Sequence, residues 1–104
     1  IKYHGEQKYT TDGLSAAVVK RLAAKAGVPV QVYTNHSDVG GGSTLGNLSN
    51  SQVSFLGADI GLAQLAMHSP YETAGVRDTE YLVKVLEEYY QSCICRDGDR
   101  LYWK

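Results

Sequence analysis

The sequence predicts an α/β fold whose elements follow the order strand, helix, strand, loop, strand, helix. Two segments, starting near Leu14 and Leu82, carry apolar residues at helical spacing, and the segments between them alternate apolar with polar residues as strands do. A length of 104 residues corresponds to about one domain. Strands joined through helices favour a three-layer α/β/α arrangement with crossover connections.

Composition limits the classes of partner. The chain has 43% hydrophobic and 20% charged residues, and its formal net charge is -1. This balance gives no general attraction for nucleic acid or for an anionic membrane. No apolar run approaches the roughly 18 residues of a membrane-spanning helix, and the first residues contain no signal-peptide core. We therefore expect a cytoplasmic protein with no nucleic-acid or membrane partner.

The two cysteines form a C-x-C pair. Cys93 and Cys95 lack the C-x-x-C spacing of a redox motif, and there is no second pair with which to build a zinc knuckle. We interpret both as ordinary cysteines near a helix end, outside any disulfide framework.

The first predicted helix has ends that are signalled locally. Thr11 or Asp12 can accept hydrogen bonds from the first free N–H groups of the helix. Gly27, followed by Val28 and Pro29, is typical of a left-handed cap and a stop. The apolar stripe of this helix consists of Leu14, Ala17, Val18, Leu22 and Ala26.

Two strands and a long loop are predicted next. The stretch VPVQVYTN alternates with the period of a strand. SDVGGGSTLGNLSNSQ is predicted to be a loop, because four glycines with repeated Ser and Asn sustain neither a ladder nor a core. VSFLGADIGL is predicted to be the next strand. The tail CRDGDRLYWK carries a D-G turn and is predicted to form a small hairpin or edge strand.

The stretch LAQLAMHSPYE places His68 just before the S-P-x-E pattern of a helix start, in which Ser69 is the cap and Glu72 its capping-box partner. Gly75 is expected to interrupt the first turn, so that the long helix restarts near Asp78. By position alone, His68 is a structural histidine, a helix-entry residue or a metal ligand. The chain has only three histidines and no H-E-x-x-H spacing, so spacing does not decide among these.

Two further features of the sequence can be interpreted either as binding sites or as ordinary surface residues. The glycine-rich GGGSTLG can cradle an anion through consecutive N–H groups, although it lacks the lysine of a Walker loop and can equally be a surface loop. Lys2 and Tyr9 can present a cation and a phenol to an anionic group, or lie solvated at a strand rim.

Taken in order, three stretches resemble the C-terminal part of the aspartyl aminopeptidase family of zinc metallopeptidases. IKYHGEQKYTTDGLSAAVV is similar to the family's I-K-x-x-x-x-Q-R-Y-A-T-N segment. GVPVQVYTNHSDVGGGSTLG is similar to G-V-P-x-Q-x-x-x-x-R-S-D-x-x-x-G-S-T-I-G, and ADIGLAQLAMHSPYE to D-I-G-x-P-Q-L-x-M-H-S-x-R-E. The resemblance runs from Ile1 to about Gln91.

The resemblance implies a role for three side chains. The histidine of M-H-S is a metal ligand in the family, which assigns that role to His68. The lysine of the I-K segment and the tyrosine of Q-R-Y contact substrate, and they match Lys2 and Tyr9. The G-S-T-I-G loop near the site matches Gly42, Ser43, Thr44 and Gly46.

The resemblance also implies the setting of these residues. Residues 1–104 would be the C-terminal portion of a zinc-exopeptidase-like catalytic domain that binds two zinc ions per active site, removes acidic amino-terminal residues from peptides and assembles into a homo-oligomer. The general base and the remaining ligands of the family lie upstream of the matching stretches. We therefore expect no catalytic residue within this segment and no activity from the segment alone.

Three positions depart from the family pattern. His36 replaces the arginine of R-S-D, Ala63 replaces a common proline, and Tyr71 replaces the arginine of M-H-S-x-R-E. These departures point to a broader, bacterial-type branch. The alternative from another class is a non-enzymatic α/β binding module, with GGGSTLG holding an anion and the tyrosine-rich last helix holding a protein.

Overall fold

The computed structural model describes all residues from 1 to 104 and confirms the mixed α/β class. Three helices are present: α1 (Gly13–Ala26), α2 (Leu45–Gln52) and α3 (Asp78–Gln91). None of them combines the length and the apolar character that a membrane crossing requires. The strands form three separate two-stranded sheets, and they are β1 (Lys2–Tyr3), β2 (Tyr33–Thr34), β3 (Gln64–Leu65), β4 (Thr73–Ala74), β5 (Ile94–Asp97) and β6 (Arg100–Trp103).

Helix α1 has the ends that the sequence predicts. Asp12 is the N-cap: its carboxylate accepts a hydrogen bond from Ser15 N at 2.7 Å, and Ser15 Oγ accepts one from Asp12 N at 3.0 Å. This reciprocal pair is a capping box. Gly27 closes the other end with φ 67°, a left-handed conformation that glycine adopts without steric cost.

The first crossover connection is also confirmed. Strands β1 and β2 pair in parallel, with Lys2 opposite Tyr33 and Tyr3 opposite Thr34, and α1 connects them. Helix α1 packs against α3 through a small core of Leu22, Ala23, Val28 and Val85. Only seven of the 104 residues are buried, so a large apolar area stays exposed on this chain.

The predicted loop contains a helix, which the sequence analysis missed. Residues Leu45–Gln52 form α2, with Thr44 extended at its N-terminal cap position. The glycines that argued for a loop are concentrated at 40–42, before the helix, and only Gly46 lies inside it. Helix α2 buries no residue, so the stripe by which a packed helix is recognised is absent.

The strand predicted for VSFLGADIGL is wrong. This segment contains only an isolated bridge, at which Lys2 N donates to the carbonyl oxygen of Asp59 at 2.9 Å. A run of residues becomes a strand only where a neighbour pairs with it along its length, and here no neighbour does.

The helix start predicted at Ser69 is also wrong. Residues 66–72 form the turn between the antiparallel strands β3 and β4. Ser69 Oγ accepts from Tyr71 N at 3.1 Å and the Glu72 carboxylate accepts from His68 N, so the side chains that predicted a cap stabilise a turn. The long helix α3 begins at Asp78, as expected for the restart.

The tail forms the predicted hairpin. Strands β5 and β6 pair antiparallel from Ile94 opposite Trp103 to Asp97 opposite Arg100, and Gly98 in the turn has φ 56°. The guanidinium of Arg21 on α1 lies 4.3 Å from the centre of the Trp103 ring, which joins the hairpin to the helix.

The capping box predicts how the chain responds to acid. The Ser15 N–H holds the pKa of the Asp12 carboxyl below its usual range. The stabilisation that the Asp12 carboxylate gives to the folded chain is therefore complete above its unfolded-state pKa. It is lost as pH falls through the lower pKa of the folded state. We expect Asp12→Ala to cost about 1 kcal/mol. Asp12→Asn should keep most of the cap without its acid sensitivity, which circular dichroism during pH titration would measure.

Candidate functional site

Lys2 and Tyr9 lie together in the structure. The Lys2 ammonium is 5.7 Å from the centre of the Tyr9 ring, within the range of a cation–π contact. Both side chains line a cavity of about 270 Å³, whose wall also includes Met67, the residue before His68. Two stretches far apart in sequence thus contribute to one concave surface.

The backbone on both sides of this surface is fixed by Asp59. Asp59 Oδ2 accepts from Thr10 N at 2.8 Å and from Thr10 Oγ1 at 3.2 Å. Asp59 N donates to Thr11 Oγ1 at 2.7 Å, and the Asp59 carbonyl oxygen accepts from Lys2 N. We call these four contacts of Asp59 with Lys2, Thr10 and Thr11 the Asp59 junction. It holds Lys2 and the residue after Tyr9 against the same short segment.

The glycine-rich loop packs onto this junction. A Cβ on Gly46, in the first turn of α2, would lie 3.2 Å from Thr10 Oγ1 and 3.5 Å from Asp59 Oδ2. The Thr10 hydroxyl would therefore have to shift slightly to accommodate a larger residue at this position. The helix N-terminus also lies close to a carboxylate, an arrangement favoured by the helix dipole.

The other predicted loop residues lie beside this contact. Ser43 Oγ accepts from Asn47 Nδ2 at 3.1 Å, which ties the loop to α2. Thr44 Oγ1 is buried and has no hydrogen-bond partner in this chain. The structure therefore brings Gly46 close to the junction and places Gly42, Ser43 and Thr44 in the segment just before α2.

His4 is a part of this region that the sequence analysis did not single out. Its ring packs edge-on against Tyr9, with centroids 5.8 Å apart, and its Nδ1 accepts from Glu6 N at 3.1 Å. A Cβ on Gly41 would lie 2.7 Å from His4 Nε2, so the loop approaches the ring as closely as glycine allows. The only sequence signal for the contact of His4 with Tyr9 and Gly41 is that His4 lies within the first family-like stretch, IKYHGEQKYTTDGLSAAVV.

His68 lies exposed in the turn between β3 and β4. Its backbone has φ 69° and that of Ala66 has φ 53°, a left-handed region that non-glycine residues adopt only where their surroundings hold them. The Glu72 carboxylate accepts the His68 N–H across this turn. In this chain His68 is therefore neither packed in the core nor placed at the start of a helix. Its role as a metal ligand stays a prediction.

This chain alone does not assemble a metal centre of three or more ligands. No three of its His, Cys, Asp and Glu side chains lie close enough together to hold an ion. A catalytic zinc ion requires about three protein ligands. His4 and His36 line a separate polar cavity of about 380 Å³, and His68 is not among the residues that line it.

A family model described as aminopeptidase I zinc metalloprotease (M18) matches residues 1–90. The chain belongs to the M18 family. This assignment confirms the resemblance found from the three motifs, and it makes zinc the metal of the family to which the chain belongs. The matched range includes the Asp59 junction, the glycine-rich loop and the His68 turn.

Relatives within the M18 family cover the same range. The protein named "Probable M18 family aminopeptidase 2" from Clostridium novyi is 47% identical over 90 residues, which are 86% of this chain and 21% of that protein. The protein of the same name from Pseudomonas paraeruginosa is 44% identical over 92 residues, 88% of this chain and 21% of its own length. This M18 chain therefore spans about a fifth of the length of the curated relatives it matches.

The Asp59 junction predicts an asymmetry between two substitutions. Asp59→Ala leaves the Thr10 N–H and hydroxyl without their acceptor, and should lower the free energy of unfolding of the protein by about 2 kcal/mol. Asp59→Asn keeps an acceptor oxygen and should cost less. Urea denaturation measures both.

The matched control for this prediction is Asp38→Ala, since Asp38 is exposed in the loop before α2. Its effect should stay within about 0.5 kcal/mol. Equal losses for Asp38→Ala and Asp59→Ala would contradict a specific anchoring role for Asp59.

Proposed function

We propose that this chain is the C-terminal segment of the catalytic domain of a dinuclear zinc aminopeptidase that removes amino-terminal residues, preferentially acidic ones, from peptides. The observation that carries the proposal is the cavity shared by Lys2, Tyr9 and Met67, whose next residue is the exposed His68. A substrate contact and a metal ligand would then lie on neighbouring parts of one surface, as hydrolysis of a bound peptide requires.

The charge of this cavity supports a preference for acidic residues. Lys2 is the only charged side chain among the ten residues that line it. An aspartate or glutamate side chain would meet this ammonium group without a competing carboxylate in the wall. Tyr9 faces the same cavity and offers a phenol that can donate a hydrogen bond to the bound peptide.

The structure of the turn supports a role for His68 as a ligand. A metal ligand must be accessible to the ion and held in one orientation by its surroundings. The ring is exposed, and the hydrogen bond from His68 N to the Glu72 carboxylate fixes the backbone that carries it. Zinc, when bound, polarises the scissile carbonyl, and His68 would contribute one protein ligand while Lys2 and Tyr9 orient the peptide.

The exposed apolar surface supports the proposal that a larger three-layer domain covers this segment. Val30 and Val32 of the stretch leading into β2 are about half exposed, at 46% and 51%, and Val76 before α3 is 99% exposed. Exposed apolar side chains of this kind would be buried if a further layer of a larger domain packed against them. We propose that the remainder of the catalytic domain supplies the missing layer and the other metal ligands, and that the segment alone is inactive.

The proposal includes assembly and location. We infer a homo-oligomer, for which the exposed side chains of Tyr89 and Tyr90 on α3 offer aromatic contact area. We infer a cytoplasmic enzyme, because the free thiols of Cys93 and Cys95 are typical of a reducing compartment.

In the full-length enzyme, His68→Ala should abolish peptide hydrolysis and reduce bound zinc while leaving the melting temperature nearly unchanged. The ring is exposed, so its removal creates no cavity, and the contact of Glu72 with the backbone N–H remains. Zinc content, melting temperature and kcat are measured on the same preparation.

His36→Ala is the matched control for this variant, since His36 is also an exposed histidine of this chain. It should keep both zinc and turnover. A His68→Ala enzyme that retains its zinc and most of its activity would overturn the proposed ligand role.

Lys2→Met should lower kcat/KM for an acidic amino-terminal residue by roughly thirtyfold, or about 2 kcal/mol, and leave a neutral residue nearly unaffected. Methionine keeps much of the apolar stem that packs in the cavity, so the variant removes mainly the charge. Kinetics with paired peptides that differ only in the first residue measure the ratio.

The control for the lysine variant is Lys20→Met on the exposed side of α1, which should change neither value. Equal losses on acidic and neutral substrates would reduce Lys2 to a structural residue and leave the acidic preference unsupported.

A further inference from the structure

The C-terminal hairpin lies beyond residue 90, where the family match ends, and one of its faces carries both cysteines. Cys95 pairs with Tyr102, and Lys104 N donates to the carbonyl oxygen of Cys93 at 2.9 Å. Since opposite residues of an antiparallel pair point to the same side, Cys93, Cys95, Tyr102 and Lys104 share one face.

The other face of the hairpin packs on the body of the protein. Ile94 packs against the core between α1 and α3, and Trp103 lies beneath the Arg21 guanidinium. The face with the cysteines is therefore turned away from the core. Cys93 is exposed and Cys95 is partly exposed, so a solute can reach both sulfurs.

The two sulfur atoms are 3.9 Å apart, and both thiols are free. Cα atoms two residues apart in a strand are separated by about 6.6 Å, at the upper end of the range of about 4.4–6.8 Å found for disulfides. A disulfide would require the sulfur atoms to approach each other to about 2.05 Å. A single cation placed between the sulfurs would require no such shortening.

We propose that Cys93 and Cys95 form a two-thiolate site for a soft monovalent cation, namely Cu(I). Thiolate sulfur is the ligand type that selects this ion, and Cu(I) is satisfied by two sulfur ligands. Zinc is disfavoured because it requires three or four ligands, and no third His, Cys, Asp or Glu side chain lies beside the pair.

The binding step is balanced without any redox change. Each thiol loses its proton to solvent as its S–Cu bond forms, so two protons are released for each ion bound and copper remains monovalent. Because binding releases these protons, affinity should fall as pH is lowered. Lys104 on the same face offers a positive charge near the resulting anionic centre.

The test is anaerobic titration of the chain with Cu(I) in competition with the chromogenic chelator bicinchoninate. The wild type should take one ion per pair of thiols. Cys93→Ser and Cys95→Ser should each weaken binding by about a hundredfold or more, because loss of even an outer partner of a metal ligand costs up to about that factor. X-ray absorption should find two sulfur neighbours for copper.

Two controls separate this site from the proposed zinc centre. His68→Ala should leave Cu(I) affinity unchanged, and so should Met67→Leu, which removes the only thioether of the chain. Binding that survives loss of either cysteine, nitrogen neighbours in the absorption spectrum, or failure of the wild type to compete would overturn the proposal. So would a Cys93–Cys95 disulfide that forms readily with oxidised glutathione and cannot be displaced by copper, since the pair would then be a redox couple.

Discussion

The arrangement of the candidate site depends on the hydrogen bonds of Asp59. Its carboxylate binds Thr10, its backbone N–H binds Thr11, and its carbonyl oxygen binds the backbone N–H of Lys2. One residue therefore fixes both ends of the segment from Lys2 to Thr11. The strands on either side are only two residues long and could not fix this position by ladder pairing alone. Charge-assisted hydrogen bonds to a carboxylate are among the stronger ones in proteins, which suits a chain with so small a core.

Features signalled by neighbouring residues could be predicted from sequence. The Asp12 cap, the Gly27 stop and the turn at Gly98 depend on contacts within a few residues, and all three occur as expected. The strand predicted across Asp59 failed because pairing depends on a distant partner that alternation does not reveal. Helix α2 was missed because it is held by contact with the junction and not by a buried stripe.

In the candidate site, too, some residues could be named from the sequence, whereas contacts between distant segments could not. Lys2 and Tyr9 were weighed together from sequence, and the cavity that they share is present. The turn that carries His68 was misassigned because Ser69 and Glu72 can cap a helix or close a turn, in either case by accepting hydrogen bonds from nearby backbone N–H groups. Asp59 and His4 went unnoticed because their contacts lie with residues of other segments, and no spacing rule encodes such contacts.

The long reach of the Asp59 junction has a consequence for the order of folding. The bond between Asp59 and Thr11 closes 48 residues of chain, whereas the hairpin of β5 and β6 closes across a two-residue turn. Loop-closure entropy delays the distant contact relative to the local one. The hairpin and α1 would therefore form early, and the cavity would be among the last parts to take shape. A newly made chain would expose more of its apolar side chains until that step, which makes this interval the one most open to aggregation.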